Sequence, residues 1–138
     1  MRKASKKILM LAVLLAACAG GAIKPVDIEA SDMCSFCRMA ISEKRYAAEI
    51  IDAEDNVMKF DDIGCMLRYR DAAGTTLKPA AIFVTDFETR EWLPAEKAFF
   101  ARPANVKTPM GSGIVAHASM EKAGPEAVTF DRLAALQK

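Results

Sequence analysis

The sequence predicts an α+β fold, in which helices pack on small antiparallel sheets. Residues 46–52 and 56–60 are apolar runs that predict strands, and the three residues between them have hairpin length. A helical spacing of apolar residues follows at residues 63–70, where Asp61-Asp62 provides an N-cap. Residues 81–87, rich in β-branched and aromatic side chains, predict a third strand.

The second half of the chain predicts more strands and a last helix. Residues 92–93 start one strand, residues 97–102 continue or follow it, and residues 114–118 form another. Thr129 is a candidate N-cap for a helix over residues 130–136, which carries an apolar stripe. The order strand, strand, helix, strand is thus followed by strands and a helix again.

The first 17 residues predict a secretory signal peptide. A basic start precedes ten apolar residues, 8–17, a run too short to span a bilayer. Its end, Leu-Ala-Ala-Cys, resembles a bacterial lipobox, which implies cleavage before Cys18 and lipidation of that cysteine. The alternative is an ordinary signal peptide with a spare cysteine. Residues 18–32, with two glycines and a proline, predict a lipidated tether, and residues 33–138 predict the folded domain.

The charge balance gives no sign of a nucleic-acid partner. The whole chain has 19 Lys+Arg and 18 Asp+Glu. Four basic residues and no acidic ones precede Cys18, which leaves 15 basic and 18 acidic residues, a net charge of −3, after cleavage. Since nucleic-acid recognition needs a basic face, we expect no such partner.

Residues 33–39, Met-Cys-Ser-Phe-Cys-Arg-Met, indicate function most strongly. They hold two thiols and two thioethers, including that of Met39, and such soft donors favour cuprous copper. The spacing of Cys34 and Cys37 also permits a disulfide or an exposed redox pair. If Cys18 carries lipid, these two thiols and Cys65 remain, and an odd number leaves at least one free or bound to a ligand.

Three later residues are further candidate ligands. Cys65 is predicted in the first turn of a helix, where the helix dipole would lower its thiol pKa, although such cysteines are more often small buried hydrophobes. Met110 lies between a proline and two glycines, which predicts a loop that presents its thioether. His117, the only histidine, falls in a predicted strand and is a candidate ligand from its residue type alone.

Several segments together resemble NosL, the lipoprotein accessory factor of nitrous oxide reductase. They are the lipobox at Cys18, Met-Cys-Ser-Phe-Cys-Arg-Met-Ala-Ile at 33–41, Arg-Tyr-Ala-Ala at 45–48, Phe-Asp-Asp-Ile-Gly-Cys-Met at 60–66 and Thr-Pro-Met-Gly-Ser-Gly at 108–113. The likeness runs in the same order over nearly the whole exported chain. The family's usual stretch is closer to C-x-x-C-G-M, and Arg38 replaces its glycine here.

The resemblance implies a small α+β protein with two related ββαβ-like halves that binds one copper(I) ion. By motif position, Cys34, Cys37 and Met110 are its candidate ligands. It implies a chaperone rather than an enzyme, which passes copper to nitrous oxide reductase together with the ABC-type maturation machinery. Lipid (palmitate) on Cys18 would anchor it on the periplasmic side of a membrane, with the outer membrane favoured over the inner.

Two other functions stay open. A thiol-disulfide redox protein would use Cys34 and Cys37, but such proteins place this motif at a helix N-terminus after a strand, and here it precedes the first predicted strand. A zinc-binding structural lipoprotein would use Cys34, Cys37, Cys65 and His117, whose number suits zinc although their spacing matches no compact zinc module.

Overall fold

The structure, a computed structural model, describes residues 21–136. The predicted signal peptide and Cys18 therefore lie outside the described residues. The strands are β1 Ala48–Asp52, β2 Val57–Phe60, β3 Pro79–Thr85, β4 Trp92–Pro94, β5 Phe99–Ala101, β6 Val115–His117 and β7 Val128–Thr129. The helices are α1 Ile63–Ala73, α2 Met120–Ala123 and α3 Phe130–Ala135. No helix among these residues has the length and apolar character needed to cross a membrane.

Two small antiparallel sheets confirm the predicted α+β class. The larger has the order β2-β1-β3-β4 and the smaller the order β6-β5-β7. In each, a strand–strand–helix–strand unit places its first strand between the other two, as β1 lies between β2 and β3 and β5 lies between β6 and β7. The two ββαβ-like halves are therefore present.

Two short elements were absent from the sequence-based prediction. Helix α2 has four residues, capped by Ser119, whose side chain accepts from the Lys122 N–H. Strand β7 has two residues, which pair with Phe99 and Phe100 of β5. Elements of this length show no hydrophobic periodicity, because less than two full repeats of any pattern fit within them.

One hydrophobic core joins the two halves. Ile50 and Phe60 of the larger sheet lie in the same buried cluster as Met66 of α1, Phe100 of β5 and Leu133 of α3. Strands β1 and β6, which are buried along nearly their whole length, supply one side of this core, and the buried residues of α1 and α3 supply the other. The two sheets also meet directly through a bridge between Asp86 and Ala116.

The segment before Cys34 contacts the folded domain. Asp27 accepts hydrogen bonds from Lys44 Nζ at 2.8 Å and from Trp92 Nε1 at 3.1 Å. Lys59 Nζ donates to Asp32 Oδ2 at 2.6 Å. Residues 18–32 were predicted as a tether between membrane and domain, and in the described part of this segment the first side-chain hydrogen bond to the domain is at Val26, whose N–H donates to Glu49. A charged segment can pack this way because Lys44 and Lys59 pair with its carboxylates.

Glu49 is a buried carboxylate beneath this segment. Its side chain is fully buried in β1, and its Oε1 accepts from the Val26 N–H at 2.9 Å. Its Oε2 has no hydrogen-bond partner among the described residues. Burial raises the pKa of Glu49, against the opposing effects of the Val26 N–H and the Lys59 charge.

Replacing Glu49 with glutamine tests this buried charge. A raised pKa means that ionised Glu49 destabilises the folded state, a penalty absent below the unfolded-state pKa of 4.5 and complete above the folded-state pKa. Glu49→Gln should therefore increase the free energy of unfolding in urea at pH 7, and by less at pH 4. The exposed Glu54→Gln is the matched control, and an equal gain for Glu49→Gln at both pH values would contradict the interpretation.

Candidate metal centre

A β-hairpin, which we call the cysteine hairpin (residues 32–41), carries Cys34 and Cys37. The Ile41 N–H donates to the Asp32 carbonyl at 3.0 Å at its open end. The Cys34 N–H donates to the Met39 carbonyl at 2.8 Å, and the Arg38 N–H donates to the Cys34 carbonyl at 3.0 Å. The C-x-x-C motif thus forms one tight turn, which brings both sulfur atoms to the same place.

Arg38 adopts the backbone that a glycine would favour. Its φ is +65°, in the left-handed region, which glycine enters freely and other residues enter at a cost of about 1–2 kcal/mol. Arg38 therefore stands at a position where glycine would fit without this cost. The Ser35 N–H donates to the Lys59 carbonyl at 2.8 Å and fixes this turn to β2.

Helix α1 carries Cys65. The helix begins after Asp62, whose side chain caps it by accepting from the Gly64 N–H at 2.7 Å. Cys65 lies in the first turn and is fully buried. The cap fixes where the helix starts and therefore where the Cys65 sulfur lies.

The cysteine hairpin and the start of α1 form a cluster of four possible ligands. The Sγ atoms of Cys34, Cys37 and Cys65 and a carboxylate oxygen of Asp61 all lie within 4.8 Å of one another. The three cysteines are free thiols. Cys34, Cys65 and Asp61 are buried, whereas Cys37 is partly exposed and opens the cluster to solvent.

Asp61 is the member of the cluster that sequence reasoning missed. The Cys37 thiol lies 3.5 and 3.6 Å from its two oxygens. Both Asp61 and Asp62 were interpreted as helix caps, but the cap is Asp62. A helix N-terminus needs only one capping side chain. The presence of a further acidic residue, Asp61, beside the cap was therefore the available signal.

Burial raises the pKa of two thiols of the cluster, those of Cys37 and Cys65. It raises the pKa of Cys37, with smaller contributions from Cys34 and Asp61. Burial also raises the pKa of Cys65 strongly, although the hydrogen bond from Arg68 opposes it. The prediction that the helix dipole lowers the Cys65 pKa is therefore wrong, because loss of solvent outweighs the dipole at this fully buried position.

The loop that carries Met110 lies against the start of α1. Asp62 Oδ2 accepts from the Thr108 hydroxyl at 2.6 Å and from the Met110 N–H at 3.0 Å. Burial alone would raise the pKa of Asp62, but hydrogen bonds, with that of Ser112 the largest, hold it below its usual range. The same carboxylate thus caps the helix that carries Cys65 and positions the Met110 backbone. Met110 lies on a loop, as predicted.

His117, a further predicted ligand, is not part of the cluster of four. His117 is buried in β6 with its ring edge-on to Phe87, 5.9 Å between centroids. The structure therefore does not form the zinc set that includes His117, and Asp61 lies beside the three cysteines instead. Met39 and Met110 have exposed side chains, 59% and 38% accessible, on the hairpin and on the loop that contacts Asp62.

Gly64→Ala tests the close approach of this loop to the helix. An added Cβ would lie 2.5 Å from the Ser112 Cβ and 3.0 Å from Asp62 Oδ1. We expect this overpacking to lower the free energy of unfolding in urea by about 1–3 kcal/mol. The clash outweighs the gain in helix propensity of about 1 kcal/mol.

Two further variants separate the clash from a general effect of alanine. Gly21→Ala, where no atom lies within 4 Å of the new Cβ, should leave stability unchanged. In a Ser112→Gly background, which lacks the nearest clashing atom, Gly64→Ala should lower stability by less than it does in the wild type. A Gly64→Ala protein as stable as the wild type would contradict the contact.

Comparisons with known proteins agree with the fold. No curated protein matches the chain. The crystal structure of the copper chaperone NosL from Shewanella denitrificans matches with a TM-score of 0.66 and 17% identity, over 78% of this chain and 93% of that one. At this identity the likeness establishes the fold alone. The NosL family model matches residues 25–128, which is most of the chain. The chain therefore belongs to the NosL family.

Proposed function

We propose that this protein is a copper(I) carrier that supplies the ion for maturation of nitrous oxide reductase. The observation that carries the proposal is the meeting of three thiols, from Cys34, Cys37 and Cys65, within 4.8 Å of one another. Thiolates are soft ligands, which suit cuprous copper better than hard divalent ions. Membership of the NosL family, and a fold shared with the copper chaperone NosL of Shewanella denitrificans, support the same role.

The surroundings of Cys37 suit a carrier that releases its ion. Cys37 is partly exposed, and Met33, Phe36 and Met39 beside it in the cysteine hairpin are exposed large side chains. A few soft ligands at the surface leave room for an incoming sulfur or imidazole donor, which takes the ion by ligand exchange. The proposed role is transfer of the metal ion, without catalysis.

A thiol-disulfide redox function fits the geometry less well. A reactive thiol in such proteins has a lowered pKa, commonly at a helix N-terminus. Here burial raises the pKa of Cys37, and Cys34 and Cys37 lie in a hairpin turn. The thiol at the helix start is Cys65, whose pKa is also raised.

Zinc is the competing ion, and the position of Asp61 beside the three cysteines favours it. Three cysteines and one carboxylate make four donors, the number that a tetrahedral zinc site uses. The exposed thioethers of Met39 and Met110, by contrast, are donors for copper(I) and poor ligands for zinc. Zinc must therefore be measured beside copper.

Membrane attachment would bring the carrier close to its recipients. The lipobox predicts palmitate and other lipid on Cys18, on the periplasmic side of the outer membrane in preference to the inner. An anchor raises the effective concentration of the site near membrane partners such as the ABC-type maturation machinery. Because contacts with the domain begin at Val26, only residues 18–25 would remain as a tether.

Cuprous titration of cysteine variants tests the proposal. Reduced protein lacking residues 1–18 is titrated anaerobically against a chromophoric competitor, and one tight equivalent is expected. Cys34→Ser together with Cys37→Ser should weaken binding at least about a hundredfold, which corresponds to about 2.8 kcal/mol. Cys65→Ala should weaken it less, because this variant removes one sulfur atom of the cluster and the double variant removes two.

The controls decide between the alternatives. Equal losses for the double variant and for Cys65→Ala would contradict a site in which Cys34 and Cys37 are the main ligands. Zinc titrated in parallel should bind more weakly than copper. Tight zinc with weak copper would favour a zinc site that includes Asp61, and no tight metal would direct attention to the redox potential of Cys34 and Cys37.

A further inference from the structure

Arg68 connects the two elements that carry the cysteines. It lies one turn after Cys65 in α1, and its Nη2 donates to the Cys65 Sγ at 3.4 Å. Its guanidinium also lies over the Phe36 ring, 5.5 Å from the centroid. Phe36 stands between Cys34 and Cys37 in the turn of the cysteine hairpin. One side chain thus contacts both the helix and the hairpin at the cluster.

The contact with Phe36 restrains the exposed tip of a turn whose first residue, Cys34, is buried in the core. Phe36 is 39% exposed, so burial in the core does little to hold its ring. A cation over an aromatic face is attracted by the ring quadrupole, and the planar guanidinium can stack while its N–H groups bond elsewhere. Lysine lacks this combination, since its ammonium is a compact charge without a plane.

Arg68 also brings positive charge to a cluster that lacks it. Two thiolates around one cuprous ion carry a net negative charge, and the Asp61 carboxylate lies within the same 4.8 Å. Arg68 is the cationic side chain that hydrogen bonds to a sulfur of the cluster in the described part of the chain. A fixed cation beside a negative site favours the loaded state electrostatically.

We infer that Arg68 is a positioning residue for the cargo, which pins the cysteine hairpin to α1 through Phe36 and offsets the negative charge of the loaded cluster. This inference rests on the proposed copper-carrying function. The pinning itself exists in the protein before any metal binds. Its two effects are therefore measured separately, one on the metal-free protein and one on the affinity.

Hydrogen exchange of the hairpin amides in the metal-free full chain measures how far the contact between Arg68 and Phe36 restrains the cysteine hairpin. The Cys34 and Arg38 amides are hydrogen bonded within the hairpin. Arg68→Gln and Phe36→Leu should each speed their exchange about two- to fivefold, the factor that corresponds to an exposed cation–π contact. Because both variants remove the same contact, the double variant should exchange no faster than either single one.

The affinity for cuprous copper measures the effect of the Arg68 charge on metal binding. Arg68→Gln should weaken binding about tenfold in the competitor titration, since it removes both the charge and the contact. Arg68→Lys should recover part of this loss, because the charge returns without the stacked plane. Phe36→Leu should weaken binding less than Arg68→Gln.

Arg70 provides the matched control. It lies in the same helix with its guanidinium over the Phe130 ring at 5.1 Å, so Arg70→Gln removes a similar contact outside the cysteine hairpin. Unchanged hairpin exchange in Arg68→Gln, or equal acceleration in Arg70→Gln, would overturn the inference. If wild-type protein binds no copper, the proposed function fails, and exchange in the metal-free protein still decides whether Arg68 pins the hairpin.

Discussion

The site depends on the hydrogen bonds that the buried carboxylate of Asp62 accepts. This carboxylate caps α1 through the Gly64 N–H and accepts from the Thr108 hydroxyl and the Met110 N–H. One side chain therefore fixes the helix start next to Cys65 and joins it to a loop from the second half of the chain. A carboxylate with several donors costs far less to bury than an unpaired one, which is why this junction can lie inside the protein.

The cysteine hairpin is held to this junction from two sides. Its turn bonds to β2 through Ser35 and Lys59, and Arg68 contacts it from α1. The Lys59 side chain also pairs with Asp32, where the hairpin begins. The buried thiol of Cys34 and the partly exposed thiol of Cys37 thus belong to one turn that hydrogen bonds hold in place. This combination suits a carrier, which must keep its donors in place and yet admit an exchanging ligand.

Much of the fold follows from local patterns in the sequence. The hairpin of β1 and β2, the cap at the start of α1 and the proximity of Cys34 and Cys37 follow from hydrophobic runs, capping chemistry and spacing. The cluster with Asp61 and the separation of His117 depend on tertiary packing, which no local pattern encodes. The raised pKa of Cys65 likewise follows from burial, which exceeds the helix dipole and becomes known only once the core is assembled.

Copper K-edge X-ray absorption on protein loaded with one cuprous equivalent tests the central claim most directly. The account places the ion among the sulfur atoms of the cluster formed by Cys34, Cys37 and Cys65. It therefore predicts a first shell dominated by sulfur at low coordination number, and loss of that sulfur signal when Cys34 and Cys37 are both serine. A first shell of nitrogen and oxygen alone, or a sulfur shell unchanged by that double substitution, would contradict it.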